Sequence, residues 1–204
     1  MDLLKKINLL KRDKISKEIS NRIKEFEKNK KDKRKVFSEL CFCILTANYQ
    51  AEKSIEIQKK MEKDFFYSKK GELAKKLKNF GHRFWSQRAE RIVKARKKIY
   101  WILEIISSKE EKEAREEIAK NIDGLGMKES SHFLRNIGFK NLAIIDFHIV
   151  NLLTKEKIIQ KPSTITKKRY LEIERKLEEI GKKVKLSLAE LDLYLWYIET
   201  GKVL

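Results

Sequence analysis

The chain of 204 residues carries 49 Lys and Arg against 30 Asp and Glu, a formal net charge of +19. That length buries a substantial core, and that charge in so short a chain predicts a polyanionic partner, nucleic acid before all others. Hydrophobic residues at 41% exclude disorder as a starting assumption, while no apolar run approaches the roughly 20 residues needed to cross a bilayer, which excludes a membrane span. The opening Met1-Asp2-Leu3-Leu4-Lys5-Lys6-Ile7 puts charges where a signal peptide needs an apolar stretch, so a cytoplasmic location is expected.

One proline, Pro162, and seven glycines leave long stretches unbroken, and apolar residues recur in them every three or four positions. This spacing predicts helices over about Leu4–Phe26, Val36–Thr46, Ala51–Met61, Glu72–Leu77, Arg88–Ile106 and Glu110–Asn121. Within the second of these, Cys41 and Cys43 sit in an apolar stretch and read as buried free thiols, not as a bridge or a metal site. His82, His132 and His148 lie too far apart in sequence to suggest zinc, so a metal-free chemistry is expected. The basic run from Glu27 to Lys35 reads as an exposed connection, either simply solvated or touching phosphate, and a second compositional shift spans Lys155–Lys167 around Pro162. Near the end, Tyr170, Ile173, Leu177 and Ile180 form a helical stripe stopping at Gly181. Ser187 to Glu190 has capping-box spacing, with Leu188, Leu191, Leu195 and Ile198 on one face behind it. The period-two alternation of strands and the repeats of a solenoid are both missing.

The most informative stretch is Asn121-Ile122-Asp123-Gly124-Leu125-Gly126-Met127-Lys128, where one helix ends, Gly124 and Gly126 make a tight turn, and a second helix starts at Met127 or Lys128. This is a helix-hairpin-helix pattern, spanning about residues 112–137. Its glycines allow close backbone approach, and the amides of the second helix can donate to a phosphate without reading sequence. Downstream, Ala143-Ile144-Ile145-Asp146-Phe147-His148 delivers an aspartate at the expected N-cap of another helix. Capping and catalysis are compatible readings, because a carboxylate held at a helix start is well placed to stabilise a developing cation.

The hairpin with Lys128, followed by Asp146 and His148, resembles the lyase branch of the helix-hairpin-helix DNA glycosylase superfamily. The short length, the segment from Phe42 to Asn48, the stretch Gly81-His82-Arg83-Phe84 and the closing Leu191-Asp192-Leu193-Tyr194-Leu195-Trp196-Tyr197 are similar, within that superfamily, to the compact archaeal-type 8-oxoguanine DNA glycosylase/AP lyase. Two departures stand out. The usual Leu-Pro before the hairpin glycines is Ile122-Asp123, which sets a negative charge beside the expected phosphate site, and the loop from Lys140 to Ile145 lacks the usual proline.

The resemblance implies an all-α protein in which two helical lobes, one bearing the hairpin, enclose a DNA-binding cleft. The whole chain, 1–204, is taken as one unit without an assigned boundary between lobes. It also implies that Lys128 attacks C1′ of the damaged nucleoside and forms a Schiff base, with Asp146 stabilising the positive charge on the sugar. Burial among apolar neighbours and nearby cations is expected to favour the neutral amine. Asn48 either ends its helix or contacts the orphaned cytosine, aided by Tyr49 or Gln50. Phe84 and Trp196 either serve the core or sandwich the flipped base, with the terminal carboxylate of Leu204 lining that pocket. His148 meets a backbone phosphate or is a structural histidine. Gly124, Gly126 and Arg83 face DNA, and Arg88, Arg91, Lys94 and Arg96 supply further basic candidates. The partner is double-stranded DNA containing oxidised guanine, with the protein monomeric and no cofactor required beyond a monovalent cation that the hairpin can accommodate. A glycosylase for another oxidised base, or a non-catalytic hairpin protein that binds DNA, are the rival readings.

Overall fold

The computed structural model describes residues 2–203. Among them are twelve helices and no strand: α1 (Leu3–Leu10), α2 (Ile15–Asn29), α3 (Lys33–Thr46), α4 (Ala51–Tyr67), α5 (Lys70–Asn79), α6 (Trp85–Lys97), α7 (Ile99–Ser108), α8 (Glu111–Asn121), α9 (Met127–Asn136), α10 (Phe147–Lys155), α11 (Lys167–Val184) and α12 (Leu188–Thr200). They group into two units, one formed by the chain up to Lys28 and again from Leu134 onward, the other by Asn29–Phe133.

In the first unit the α2 stripe Ile15, Ile19, Ile23 and Phe26 packs against Ala189, Leu193 and Tyr194 of α12. Helix α12 also meets α1, α10 and α11. Its start is fixed by the expected capping box: Ser187 accepts from the Glu190 amide, and Glu190 Oε2 from the Ser187 amide at 2.9 Å. Gly138 closes the turn after α9 with φ +94°, and a Cβ there would lie 2.8 Å from Glu27 Cα, so only glycine lets the two backbones meet. In the second unit α3 is buried nearly all round, through Val36, Phe37, Leu40, Cys41, Phe42, Cys43, Ile44 and Leu45, and packs on α4 and α6. Both cysteines are free and buried, and burial pushes the Cys41 thiol well up, so they fill the core as expected.

Several expected boundaries move. The single helix expected over Leu4–Phe26 is two, because Asp13 restarts the chain: its carboxylate accepts from the Ile15 amide at 3.3 Å and its carbonyl from the Ser16 amide at 3.1 Å. The helix expected over Arg88–Ile106 begins at Trp85 and breaks at Lys98 (φ −99°, ψ 8°). Helices α4 and α5 extend beyond the expected Met61 and Leu77. The α11 stripe does not stop at Gly181 but runs to Val184, with the left-handed Lys185 (φ 55°) as C-cap and Leu186 N donating to Gly181 O at 2.9 Å. The basic run is mostly helix end and helix start, since α2 continues to Asn29 and α3 opens at Lys33 on an Asp32 cap. The stretch around Pro162 is the connection between α10 and α11 that composition suggests.

Candidate active site and hairpin

The hairpin forms as its sequence predicts, with α9 starting at Met127. Ile122 and Leu125 are both buried, and the Leu125 amide closes the turn on Ile122 O at 3.1 Å. Gly124 holds φ +90°, a conformation an L side chain rarely adopts, and the Arg91 side chain lies so close that a Cβ would come within 2.6 Å of it. Beneath the turn, fully buried Arg115 donates to Ser131 Oγ at 3.4 Å, fixing α8 on α9. Ile122-Asp123 replaces the expected Leu-Pro without leaving a bare negative charge. Lys94 Nζ pairs with Asp123 at 3.0 Å, and that bond holds the Asp123 carboxyl below its ordinary range. At the end of α8, Lys98 Nζ donates to Asn121 O at 2.6 Å.

Lys128 occupies the second position of α9, at the end where the helix dipole is positive. The apolar burial expected around its amine is not what the structure has. The side chain is 32% exposed, and Nζ lies 2.9 Å from Glu129 Oε1. The other oxygen of Glu129 accepts from the Gly126 amide at 3.3 Å. The cause is local: Glu129 stands at the third position of the helix, where a glutamate naturally reaches back to the N-cap amide.

Of the expected basic face, Arg83 is exposed and Arg91 lies on the hairpin glycine, whereas Lys94 is paired with Glu90 and Asp123. Arg88 and Arg96 do not belong to that face. Arg96 donates to Phe65 O at 2.6 Å and Ser68 O at 3.0 Å, and Arg88 is buried and donates to Ala47 O.

The Arg88 bond belongs to a clamp on the turn after α3. Asn48 sits there, exposed, with φ 58°, a left-handed conformation that Asn tolerates better than most residues. His82 accepts at Nδ1 from the Phe84 amide at 3.1 Å, so its Nε2 carries the hydrogen donated to Leu45 O at 3.1 Å. Burial lowers the His82 pKa below its ordinary value and keeps the ring in this neutral form. Tyr49 stacks on His82 at 4.1 Å and donates to Gly81 O at 3.1 Å. The turn bearing Asn48 and the loop bearing Arg83 are thus tied together. Phe84, half-buried, ends that loop with the Arg83 and Arg88 guanidinium carbons 4.8 and 5.4 Å from its ring centre.

Asp146 is the N-cap of α10, as expected, accepting from the Ile149 amide at 2.9 Å. The loop before it manages without proline because its backbone is pinned from two helices. Ala143 donates to Glu174 Oε1 at 3.0 Å and accepts from Tyr170 Oη at 2.6 Å, while Lys140 O accepts from the Ala189 amide at 3.0 Å. His148 stacks on Phe147 at 3.8 Å and meets the Trp196 ring edge-to-face at 5.0 Å. Trp196 is half-buried, and its Nε1 hydrogen is buried without an acceptor. Asp146, His148 and Trp196 therefore fall in one unit, and Asn48, Arg83, Phe84, Gly124, Gly126 and Lys128 in the other. Leu204 lies outside the described residues.

Besides Glu174, sequence reasoning gave no role to two acids. Glu129 is one. The other is Asp192, whose carboxyl is pushed up to about 6 by burial, held back by Arg135 with Nη1 at 3.7 Å and raised further by the charge of Asp146. The sequence offered only a glutamate three residues after a hairpin glycine and an acid between two leucines in α12, neither of which names a partner.

The sequence profile of the family described as 8-oxoguanine DNA glycosylase matches residues 19–186. The 8-oxoguanine DNA glycosylase/AP lyase of Methanocaldococcus jannaschii is 51% identical over 207 aligned positions, spanning 100% of both chains. That of Korarchaeum cryptofilum is 49% identical over 205, spanning 100% of this chain and 98% of its own. A crystal structure of the Methanocaldococcus jannaschii 8-oxoguanine glycosylase/lyase in complex with a 15mer DNA containing 8-oxoguanine superposes with a TM-score of 0.96 at 49% identity, over 99% of each chain. The chain is thus a member of the 8-oxoguanine DNA glycosylase family of helix-hairpin-helix proteins.

Proposed function

We propose that this protein removes 8-oxoguanine from duplex DNA and nicks the strand at the site, as a bifunctional DNA glycosylase/AP lyase. The observation that carries this reading is the full-length likeness to a glycosylase/lyase in complex with DNA containing 8-oxoguanine. An amine at the start of the hairpin helix and a carboxylate capping α10 fit the same chemistry.

A glycosidic bond inside stacked DNA is out of reach, so the nucleotide must be flipped, with Phe84 and Trp196 offering aromatic faces to the base. Lys128 gives up a proton, which passes through solvent to the departing base, and its lone pair attacks C1′. The bond from C1′ to the base breaks, and the electron pair leaves with the base. The Asp146 carboxylate stabilises the positive charge that develops on the sugar. Ring opening gives a Schiff base between Lys128 and C1′. Removal of a C2′ proton then expels the 3′ phosphate by β-elimination, and water frees the lysine. Gly124 with the Arg91 side chain beside it and Gly126 receive a backbone phosphate, His148 meets another, and Asn48 with Arg83 faces the opposite strand. The protein acts as a monomer on DNA in the cytoplasm, and none of these steps draws on a metal or an organic cofactor.

Single-turnover cleavage of matched duplexes tests the substrate. We expect nicking of 8-oxoguanine opposite cytosine at least about 100-fold faster than of undamaged guanine or an oxidised pyrimidine, the discrimination open to a site that hydrogen-bonds its base. Preferential nicking of an oxidised pyrimidine would assign the protein to another lesion.

A further inference from the structure

We propose that Glu129 is a positioning residue for the nucleophile, holding the Lys128 amine at the mouth of the hairpin from an anchor on the Gly126 amide. The inference rests on the reading of Lys128 as the attacking amine. Neighbouring residues on a helix point in different directions and do not ordinarily pair. This pair exists because Glu129 turns back to the N-cap, placing Oε2 on the Gly126 amide at 3.3 Å and Oε1 beside Lys128 Nζ at 2.9 Å. The contact is also more sheltered than the exposed pair on α4. Glu129 is 19% exposed and Lys128 32%, against 58% and 57% for Glu56 and Lys60 on α4.

Three positive neighbours hold the carboxylate: the backbone donor of Gly126, the Lys128 ammonium and the field of buried Arg88, which the charge of Glu129 reaches. Two of them are rigid, since one is main chain in a fixed turn and the other is tied to Ala47 O. A long lysine side chain held at one end by such an anchor loses much of its rotamer freedom before substrate arrives. That is the freedom a reaction at C1′ must otherwise suppress. The amine is then delivered from a fixed place as its proton leaves.

The test separates charge from cap. Glu129→Gln keeps an oxygen for the Gly126 amide but loses the ionic hold on Lys128, whereas Glu129→Ala loses both. Borohydride trapping on an 8-oxoguanine duplex is followed in single turnover at saturating protein, alongside duplex affinity and urea unfolding. We expect trapping to slow by about 10-fold or more in both variants, with Glu129→Gln matching wild type in unfolding midpoint and binding the duplex within about twofold. Wild-type trapping in Glu129→Gln would reduce Glu129 to a helix cap, and a rate loss that vanishes at saturation would make it a binding effect; either overturns the proposal. If wild type itself formed no adduct, the assignment of Lys128 would fall, and this proposal with it.

Discussion

The hairpin turn and the start of α10 hold the two proposed reactive groups by opposite means. Lys128 is a long, half-exposed side chain steadied by one acidic neighbour. Asp146 is a short one bonded to main chain, at the end of a loop whose own backbone is pinned by Tyr170, Glu174 and Ala189. The difference matches the two tasks. A nucleophile must travel and form a bond, whereas a carboxylate that stabilises charge works best if it does not reorganise. Fold stability is therefore invested around the aspartate more than around the lysine.

Substitutions at Asp146 give the sharpest separation. Asn is as good an N-cap as Asp, so Asp146→Asn leaves the urea midpoint unchanged while slowing trapping by about 100-fold or more. Asp146→Ala loses the same activity and also costs about 1 kcal/mol of stability. A destabilised Asn variant would mean that the cap depends on charge.

Next in size is the pinned loop. Tyr170→Phe leaves the buried Ala143 carbonyl without its 2.6 Å donor, a loss of about 1–3 kcal/mol in urea unfolding. Activity should fall with it, since the loop sets where Asp146 stands. An unchanged rate in a folded Tyr170→Phe protein would separate the loop from the chemistry.

A smaller effect depends on pH. The Asp192 carboxyl is raised to about 6, above the ~3.9 of an unfolded chain. Between those values the folded protein keeps a proton that the unfolded chain has lost, so this group's contribution to stability falls as pH rises from about 4 to 6. Comparing unfolding midpoints of wild type and Asp192→Asn at pH 4.5 and 7 should show the variant gaining relative to wild type at the higher pH. Equal differences at both values would mean that Arg135 fully compensates the charge.

The smallest effect is expected at Asp123, exposed and paired with Lys94. Asp123→Asn should tighten duplex binding by less than about threefold, because exposed charges are screened. A larger gain would show that the hairpin's acid opposes phosphate directly.

What could be read from the sequence was what leaves a local mark. The capping box at Ser187, the cap at Asp146, the glycine turn before Met127 and the apolar run around Cys41 each follow from a few adjacent residues. The breaks at Asp13 and Lys98 did not show. The apolar stripe continues across both, and in a chain so rich in charge one more Asp or Lys carries no signal. For the same reason Glu129, Glu174 and Asp192 were invisible as working groups, and Arg88 read only as one more basic candidate for DNA. Each acquires its role only when folding buries it or turns it toward a particular amide, carbonyl or ion. Lys128 shows both sides: its position was legible from the hairpin, while its ionic partner was not.

The central claim is that Lys128 is the nucleophile, and borohydride trapping on a duplex carrying 8-oxoguanine opposite cytosine tests it most directly. The account predicts a covalent protein–DNA adduct with wild type and none with Lys128→Gln, although the variant folds and binds the duplex. An adduct that survives Lys128→Gln, or a wild type that binds this duplex and neither traps nor nicks it, would contradict it.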